Sequence, residues 1–294
     1  MTLKLFIEPY GDNVWTEEIV NNISHIPTSK DDCDFIVSSQ IPWGITDSNF
    51  IQRVLNSYSS EIKHALVFLV SDYNEPFDIP TNVLLFRTGM YKSKKKSNEY
   101  LLPYIAAKSD LHNHIQFESI PKRGLHPTIG FCGSIASHPS RLQYINKLKM
   151  CPGIKKNFIL KNEYWGGNPH NMNVISEFIK NVRDNYFTLT TRGTGNWSSR
   201  FYQVLYLGRI PVYINTDCVL PFEDKINWRD IIVYCDSPNE LNDKIMQFWN
   251  TKDIQHTQNI CRDIFNTYLS IEGWCRTITN DILIPLKQKD SLST

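Results

Sequence analysis

Residues 186–228 read YFTLTTRGTGNWSSRFYQVLYLGRIPVYINTDCVLPFEDKINW, and this stretch decides the fold. Tyr186–Thr190 alternates and is rich in β-formers, so it predicts a strand. Arg192, Gly193, Thr194, Gly195 and Asn196 cannot extend it. Ser198 suits an N-cap, and Ser199–Leu207 follows with Phe201, Val204 and Leu205 on one helical face. Gly208 stands where a C′ glycine belongs. Ile210–Ile214 is a short apolar run of the kind found in buried parallel strands. Strand, glycine loop, helix and strand make a βαβ unit.

Two arginines in this unit are costly as mere structure. Arg200 falls in the first helical turn, where the helix dipole disfavours a cation by ~0.3–1 kcal/mol. Arg192 lies in the loop that feeds the same helix end. An anion there would relieve both, and the unpaired N–H groups of the first turn point at it as well. The ligand implied is a diphosphate. Arg200 and Gln203 share the face opposite Phe201, Val204 and Leu205, so a polar face open to a cleft is expected. The loop is neither a complete G-x-G-x-x-G fingerprint, because Ser198 breaks it, nor a Walker A loop. On spacing alone a phosphate site and a plain capped turn stand level.

Outward from this unit the elements alternate. Leu3–Ile7, Phe35–Val37, Ala65–Val70 and Val83–Phe86 are expected strands, with helices over Glu17–Asn22 and Ile51–Ser60. Lys92–Ser97 carries four lysines in six residues, which reads as a solvated loop or a patch that steers an anion. Tyr100–Tyr104 closes this half. Ser109–Gly124 is polar and serves as the expected linker. A second series has strands at Thr128–Cys132, Asn157–Leu160, Tyr186–Thr190, Ile210–Ile214 and Ile231–Cys235. Its helices are Arg141–Lys149, Met172–Val182, Ser199–Leu207 and Asn239–Trp249. Ile254–Leu283 is mostly helical. Two such series imply an α/β chain of two Rossmann-like domains facing a cleft. The expected boundaries are 1–120, 125–255 and a helical segment, 256–294, that crosses back onto the first domain.

The stretch also resembles the core motif of the exostosin-type glycosyltransferases. That motif has an Arg-Gly loop, here Arg192-Gly193, and a Ser-Arg helix start, here Ser198 to Arg200. Gly-x-Ile-Pro-Val follows, here Gly208 to Val212, then Leu-Pro-Phe at Leu220 to Phe222 and Asn-Trp at Asn227-Trp228. Fainter echoes are Phe131-Cys132-Gly133 with Arg141, and Cys33-Asp34-Phe35-Ile36-Val37. The resemblance implies a GT-B fold, a UDP-sugar donor and a glycan acceptor. It implies donor binding by Gly133, Arg141, Arg192, Gly193, Gly195, Ser198, Arg200 and Gln203. Many exostosin-like chains carry Glu where this one has Gln203; the amide can bind a hydroxyl but cannot act as a base.

Ligands of open α/β sheets bind beyond the carboxyl ends of the strands, and this rule ranks the remaining candidates. Asn215, Thr216 and Asp217 end one strand and suit sugar hydroxyls or an Asx turn. Phe222 and Trp228 suit stacking on a base or sugar, or simple packing. An inverting transferase needs a general base. Glu8 leads, then Asp12, then Asp72, each beyond a strand of the first half or equally a turn carboxylate. His126 and His138 read as surface residues. Asp32-Cys33-Asp34 matches a bare D-x-D, but it precedes a strand and reads as a strand-entry turn. No metal is expected: Arg192, Arg200 and the helix end would offset the diphosphate charge.

Composition sets outer limits. The 294 residues are 41% hydrophobic with a net charge of +1, which argues against nucleic acid or an anionic membrane as the main partner. No apolar run reaches the roughly 18 residues of a membrane span, and no signal peptide is expected. Seven cysteines without a C-x-x-C pair fit reduced thiols, so a cytoplasmic setting is expected. The expected activity is metal-independent, inverting transfer of one sugar, such as xylose, galactose or glucuronic acid, from its UDP-sugar to an oligosaccharide or other glycan hydroxyl. The rival readings are a GDP-sugar fucosyl-type transferase and a non-catalytic glycan- or nucleotide-binding module.

Overall fold

A computed structural model describes residues 2–9, 14–104, 106, 111, 124–168 and 171–292. The chain divides into two compact units. Unit 1 comprises Met1–Ile105, Asp217–Pro221 and Tyr268–Thr294; unit 2 comprises Ala106–Thr216 and Phe222–Thr267. The segment grouped with unit 1 therefore begins at 268 rather than 256. The expected linker and Asp12 fall mainly or wholly outside the described residues.

Unit 1 runs β1 (Leu3–Ile7), α1 (Val14–Asn21), β2 (His25–Pro27), β3 (Phe35–Val37), α2 (Ser48–Ser57), β4 (His64–Leu69), β5 (Val83–Arg87) and β6 (Glu99–Leu101). All six strands are parallel, in the order β2-β1-β3-β4-β5-β6. The central strands β4 and β5 are nearly continuous apolar runs because both faces are covered. Strand β2 was not expected from sequence. It is three residues long, half-exposed, and ends in Pro27, which is the usual form of a protected sheet edge.

Unit 2 runs β7 (Thr128–Ser134), α3 (Pro139–Met150), β8 (Lys155–Lys161), α4 (Met172–Arg183), β9 (Phe187–Leu189), α5 (Ser199–Tyr206), β10 (Ile210–Ile214), α6 (Trp228–Ile231), β11 (Val233–Cys235), α7 (Leu241–Thr251) and α8 (Ile254–Ile264). Its five strands are also parallel, in the order β11-β10-β9-β7-β8. The edge strand β8 carries Lys155, Lys156 and Lys161, and such charge discourages pairing with another chain. The last expected strand, Ile231–Cys235, begins two residues later because Trp228–Ile231 forms a short helix.

A π-helix, Phe265–Leu269, spans the passage from one unit to the other, and α9 (Ile271–Ile278) and α10 (Ile284–Leu292) close unit 1. Trp274 anchors this segment. Its indole is fully buried, edge-on to Phe86 and Phe68, and Nε1 donates to the Leu101 carbonyl at 3.2 Å.

The architecture is α/β, with two helix-flanked parallel sheets, and is GT-B-like. In both sheets the strand order reverses direction beside the first strand. The switch lies between β1 and β3 in unit 1 and between β7 and β9 in unit 2. Open α/β sheets bind their ligands at such switch points.

Candidate active site

The unit 2 switch point gathers the arginines singled out from the sequence. Arg200 leaves the first turn of α5 and runs inward rather than outward. It is only 8% exposed; its Nη2 donates to the Cys132 carbonyl at 2.8 Å, and the guanidinium lies 4.3 Å from the centre of the Phe131 ring. Gly133 makes this path possible. A side chain there would strike Arg200 Nη2, and its φ of +146° also favours glycine. The expected open polar face of α5 is not present: Arg200 through Tyr206 are all buried, with Gln203 only 1% exposed. The helix packs on every side, and the wheel pattern reported only its most apolar face.

Arg200 has no carboxylate partner among the described residues, and its Nε makes no hydrogen bond. Burial, and then the charge of Arg141, push its pKa down to about 9. A buried charge without a counter-ion is costly. Ser137 Oγ and Thr191 Oγ1 beside the same strand ends are also buried without partners among the described residues. Each such group costs about 1–3 kcal/mol.

Arg141 serves as a strut. Its Nη1 donates to Ser134 O at 2.8 Å, Nε to Arg192 O at 2.8 Å, and Nη2 reaches Thr191 O at 3.5 Å. It thereby ties the loop after β7 to the loop after β9. Gly193 sits under it: a Cβ there would stand 3.4 Å from Arg141 Nη2 and 3.3 Å from the Tyr164 hydroxyl. Arg192 is half-buried, and among the described residues its side chain bonds to carbonyls of its own loop, Thr194 O at 3.1 Å and Gly193 O at 3.4 Å. Gly195 is buried in that loop. Ser198 has the extended backbone of an N-cap, but its side chain makes no capping bond, contrary to expectation.

The other candidates have partners of their own. Asn215 reaches Asp236 at 3.4 Å. Asp217 belongs to unit 1, in a left-handed conformation, where its carboxylate accepts from Ser93 N and Oγ. Phe222 is likewise left-handed, with its carbonyl closing a turn to Lys225 and Ile226. Trp228 is buried edge-on to Phe201, so the packing role applies to it.

In unit 1, Glu8 follows β1 at that sheet's switch point. Its carboxylate accepts from the Tyr58 hydroxyl at 2.6 Å and from Gln40 Nε2 at 3.1 and 3.3 Å. Burial and this hydrogen bond raise the Tyr58 pKa well above its usual range, so the phenol stays a donor. Asp72 is half-buried just beyond β4. The D-x-D aspartates have structural partners: Asp32 the Ser29 hydroxyl, and Asp34 both Lys4 N and Lys287 Nζ at 2.7 Å. Among the described residues, no three His, Cys, Asp or Glu gather where they could hold one metal ion.

Three participants escaped the sequence reading. Tyr164 is 55% exposed, with its hydroxyl beside Gly193. Asn196 is fully buried and exchanges hydrogen bonds with Thr216, which ties the loops after β9 and β10 together. His138 is the N-cap of α3 rather than a bare surface residue. The sequence signal for this cap is weak, because Ser, Thr, Asp and Asn are the usual N-cap residues.

The family model described as the Exostosin GT47 domain matches residues 91–247, just over half of the chain. Over 59 residues the chain is 39% identical to a protein of Arabidopsis thaliana named "Probable beta-1,4-xylosyltransferase IRX10L" and 37% identical to a "Probable glucuronosyltransferase" of Oryza sativa subsp. japonica. Each of these alignments covers 20% of this chain and 14% of the relative's length. A second rice protein, named "Probable glucuronosyltransferase GUT1", is 37% identical over 57 residues, again 14% of its length. No described helix is long and apolar enough to cross a membrane. With the arginine-lined switch point inside the matched span, the chain belongs to the exostosin GT47 family.

Proposed function

We propose that the chain is a glycosyltransferase that moves one sugar from a UDP-sugar to a hydroxyl of a glycan, with inversion and without a metal. The observation that carries this reading is Arg200: a guanidinium more than nine-tenths buried, at a helix N-terminus and a sheet switch point, with no carboxylate beside it among the described residues. A diphosphate supplies the missing anion, and the first-turn N–H groups of α5 share the load. Arg192 and Arg200 bind the diphosphate, Arg141 fixes the loops, and Gly133 and Gly193 allow close approach. The names of the plant relatives favour UDP-xylose or UDP-glucuronic acid as donor.

Glu8 is the proposed base. It takes the acceptor proton as the hydroxyl oxygen bonds to the anomeric carbon and the diphosphate leaves from the opposite face. Tyr58 and Gln40 orient the carboxylate for that step. Two arginines and a helix end offset the leaving charge, the part a metal plays elsewhere. A reducing compartment such as the cytosol suits the seven cysteines, which are present as thiols.

The test is UDP release from UDP-xylose and UDP-glucuronic acid with xylo-oligosaccharide acceptors, with and without EDTA. Turnover that survives EDTA, with a product of inverted anomeric configuration by NMR, is expected. Preferential turnover of GDP-fucose, or binding without turnover of any donor, would overturn the assignment.

A further inference from the structure

Tyr164 opens a short 3-10 helix, Tyr164–Gly167, just beyond the carboxyl end of the edge strand β8. Strand β7 lies next to β8 in the sheet, and β9 lies on the far side of β7. The segment after β8 is fastened to the end of β7. Ile135 N donates to Lys161 O at 2.9 Å, Ser134 Oγ donates to Asn162 O at 3.3 Å, and the 3-10 helix itself packs against β7. From there the Tyr164 side chain reaches past β7 to the loop that leaves β9. A Cβ on Gly193 would stand 3.3 Å from the Tyr164 hydroxyl and 3.4 Å from Arg141 Nη2, so the two groups flank one point beside Gly193.

The two ends of this side chain therefore place it across the switch point between β7 and β9. The end of β7 that it crosses carries Gly133 and the Cys132 carbonyl, where the Arg200 guanidinium is held. Tyr164 is also close enough to Arg200 to bear on its charge. Yet the residue is 55% exposed. A tyrosine kept for packing alone would be covered; here the hydroxyl end stands among arginines while much of the residue stays open. A phenol suits such a place, because it brings a hydrogen-bond donor to an anion without adding a third charge to the cluster.

We propose that Tyr164 is a further donor-binding residue, whose hydroxyl donates to an oxygen of the diphosphate held by Arg192 and Arg200. This rests on the diphosphate reading above. The contact is to the part that all nucleoside diphosphate sugars share, so it contributes affinity without choosing the sugar. Loss of the hydroxyl should then weaken a sugar nucleotide and bare diphosphate by the same factor.

The experiment is calorimetry on the wild type, Tyr164→Phe and Tyr164→Ala, with UDP-xylose as ligand and inorganic diphosphate as its competitor. Tyr164→Phe should bind both about tenfold more weakly, the loss of one hydrogen bond to a charged acceptor, with the melting temperature unchanged. Wild-type affinity in Tyr164→Phe, with a loss in Tyr164→Ala alone, would mean that the ring packs on the ligand and the hydroxyl is unused; it overturns the proposal and leaves the diphosphate site standing. So does a loss for UDP-xylose that diphosphate does not share, which would move the contact to the nucleoside or sugar. A loss that comes with a large fall in melting temperature would make the hydroxyl a strut for the Gly193 loop, and overturns it too. If diphosphate does not displace UDP-xylose from the wild type, or if UDP-xylose, UDP-glucuronic acid and GDP-fucose all fail to bind, the diphosphate reading falls and this proposal with it.

Discussion

Arg87 in unit 1 and Arg200 in unit 2 are both buried guanidiniums beside the carboxyl end of a parallel sheet, and their surroundings differ in one respect. Arg87 is 1% exposed, faces Glu99 at 3.1 Å, and donates to the carbonyls of Tyr73 and Glu75. Burial lowers its pKa while Glu99 opposes the shift. Arg200 has one carbonyl, one aromatic face and a neighbouring cation. A third case, Arg209, is also buried and lowered to about 10, but it donates to the last carbonyls of two helices, Arg183 O and Leu207 O, where the dipole welcomes a cation. Burial alone therefore does not mark function. What sets Arg200 apart is its place at the N-terminal end of a helix, with no carboxylate beside it among the described residues.

The comparison can be broken by four substitutions. Glu99→Leu should strip Arg87 of its counter-ion and cost about 3–5 kcal/mol, read as a large fall in melting temperature; a small change would show that the pair is not structural. Glu8→Gln should lower kcat by about 10²- to 10³-fold while UDP-sugar binding, measured by calorimetry, is kept. A near-normal rate would move the base to Asp72. Arg200→Met should weaken UDP-sugar binding by about 10²-fold and leave the fold as stable or about 1 kcal/mol more stable, since an uncompensated charge is removed. Retained affinity would end the diphosphate assignment.

The smallest effect is expected of Gly133→Ala. The new methyl group meets Arg200 and the backbone conformation is unfavourable, so a loss of about 1–2 kcal/mol is expected, with weakened donor binding as Arg200 is displaced. If stability drops but affinity holds, the glycine serves the fold alone.

Much of this was legible in the chain. Apolar runs such as Leu3–Ile7 and Ile210–Ile214 carry their own evidence, because a strand covered on both faces must be apolar throughout. The place of Arg200 in a first helical turn is likewise plain from the sequence. What was misread depended on distant neighbours. The polar residues of α5 suggest a face open to a cleft, yet Arg200 through Tyr206 are all buried, and Arg200 is held by Cys132 from 68 positions away. His25–Pro27 is too short and too exposed to announce a strand.

By itself, then, the sequence determined the two βα series, the glycine turns and the placing of an arginine against a helix dipole, all of which follow from local propensity and residue chemistry. Tertiary structure alone decided the strand order, and with it the two switch points. It also decided which buried arginine gained a carboxylate, which gained helix carbonyls and which gained neither. Those outcomes rest on contacts between residues tens of positions apart, such as Arg200 with Cys132 and Tyr58 with Glu8, and no local pattern encodes who will be opposite whom.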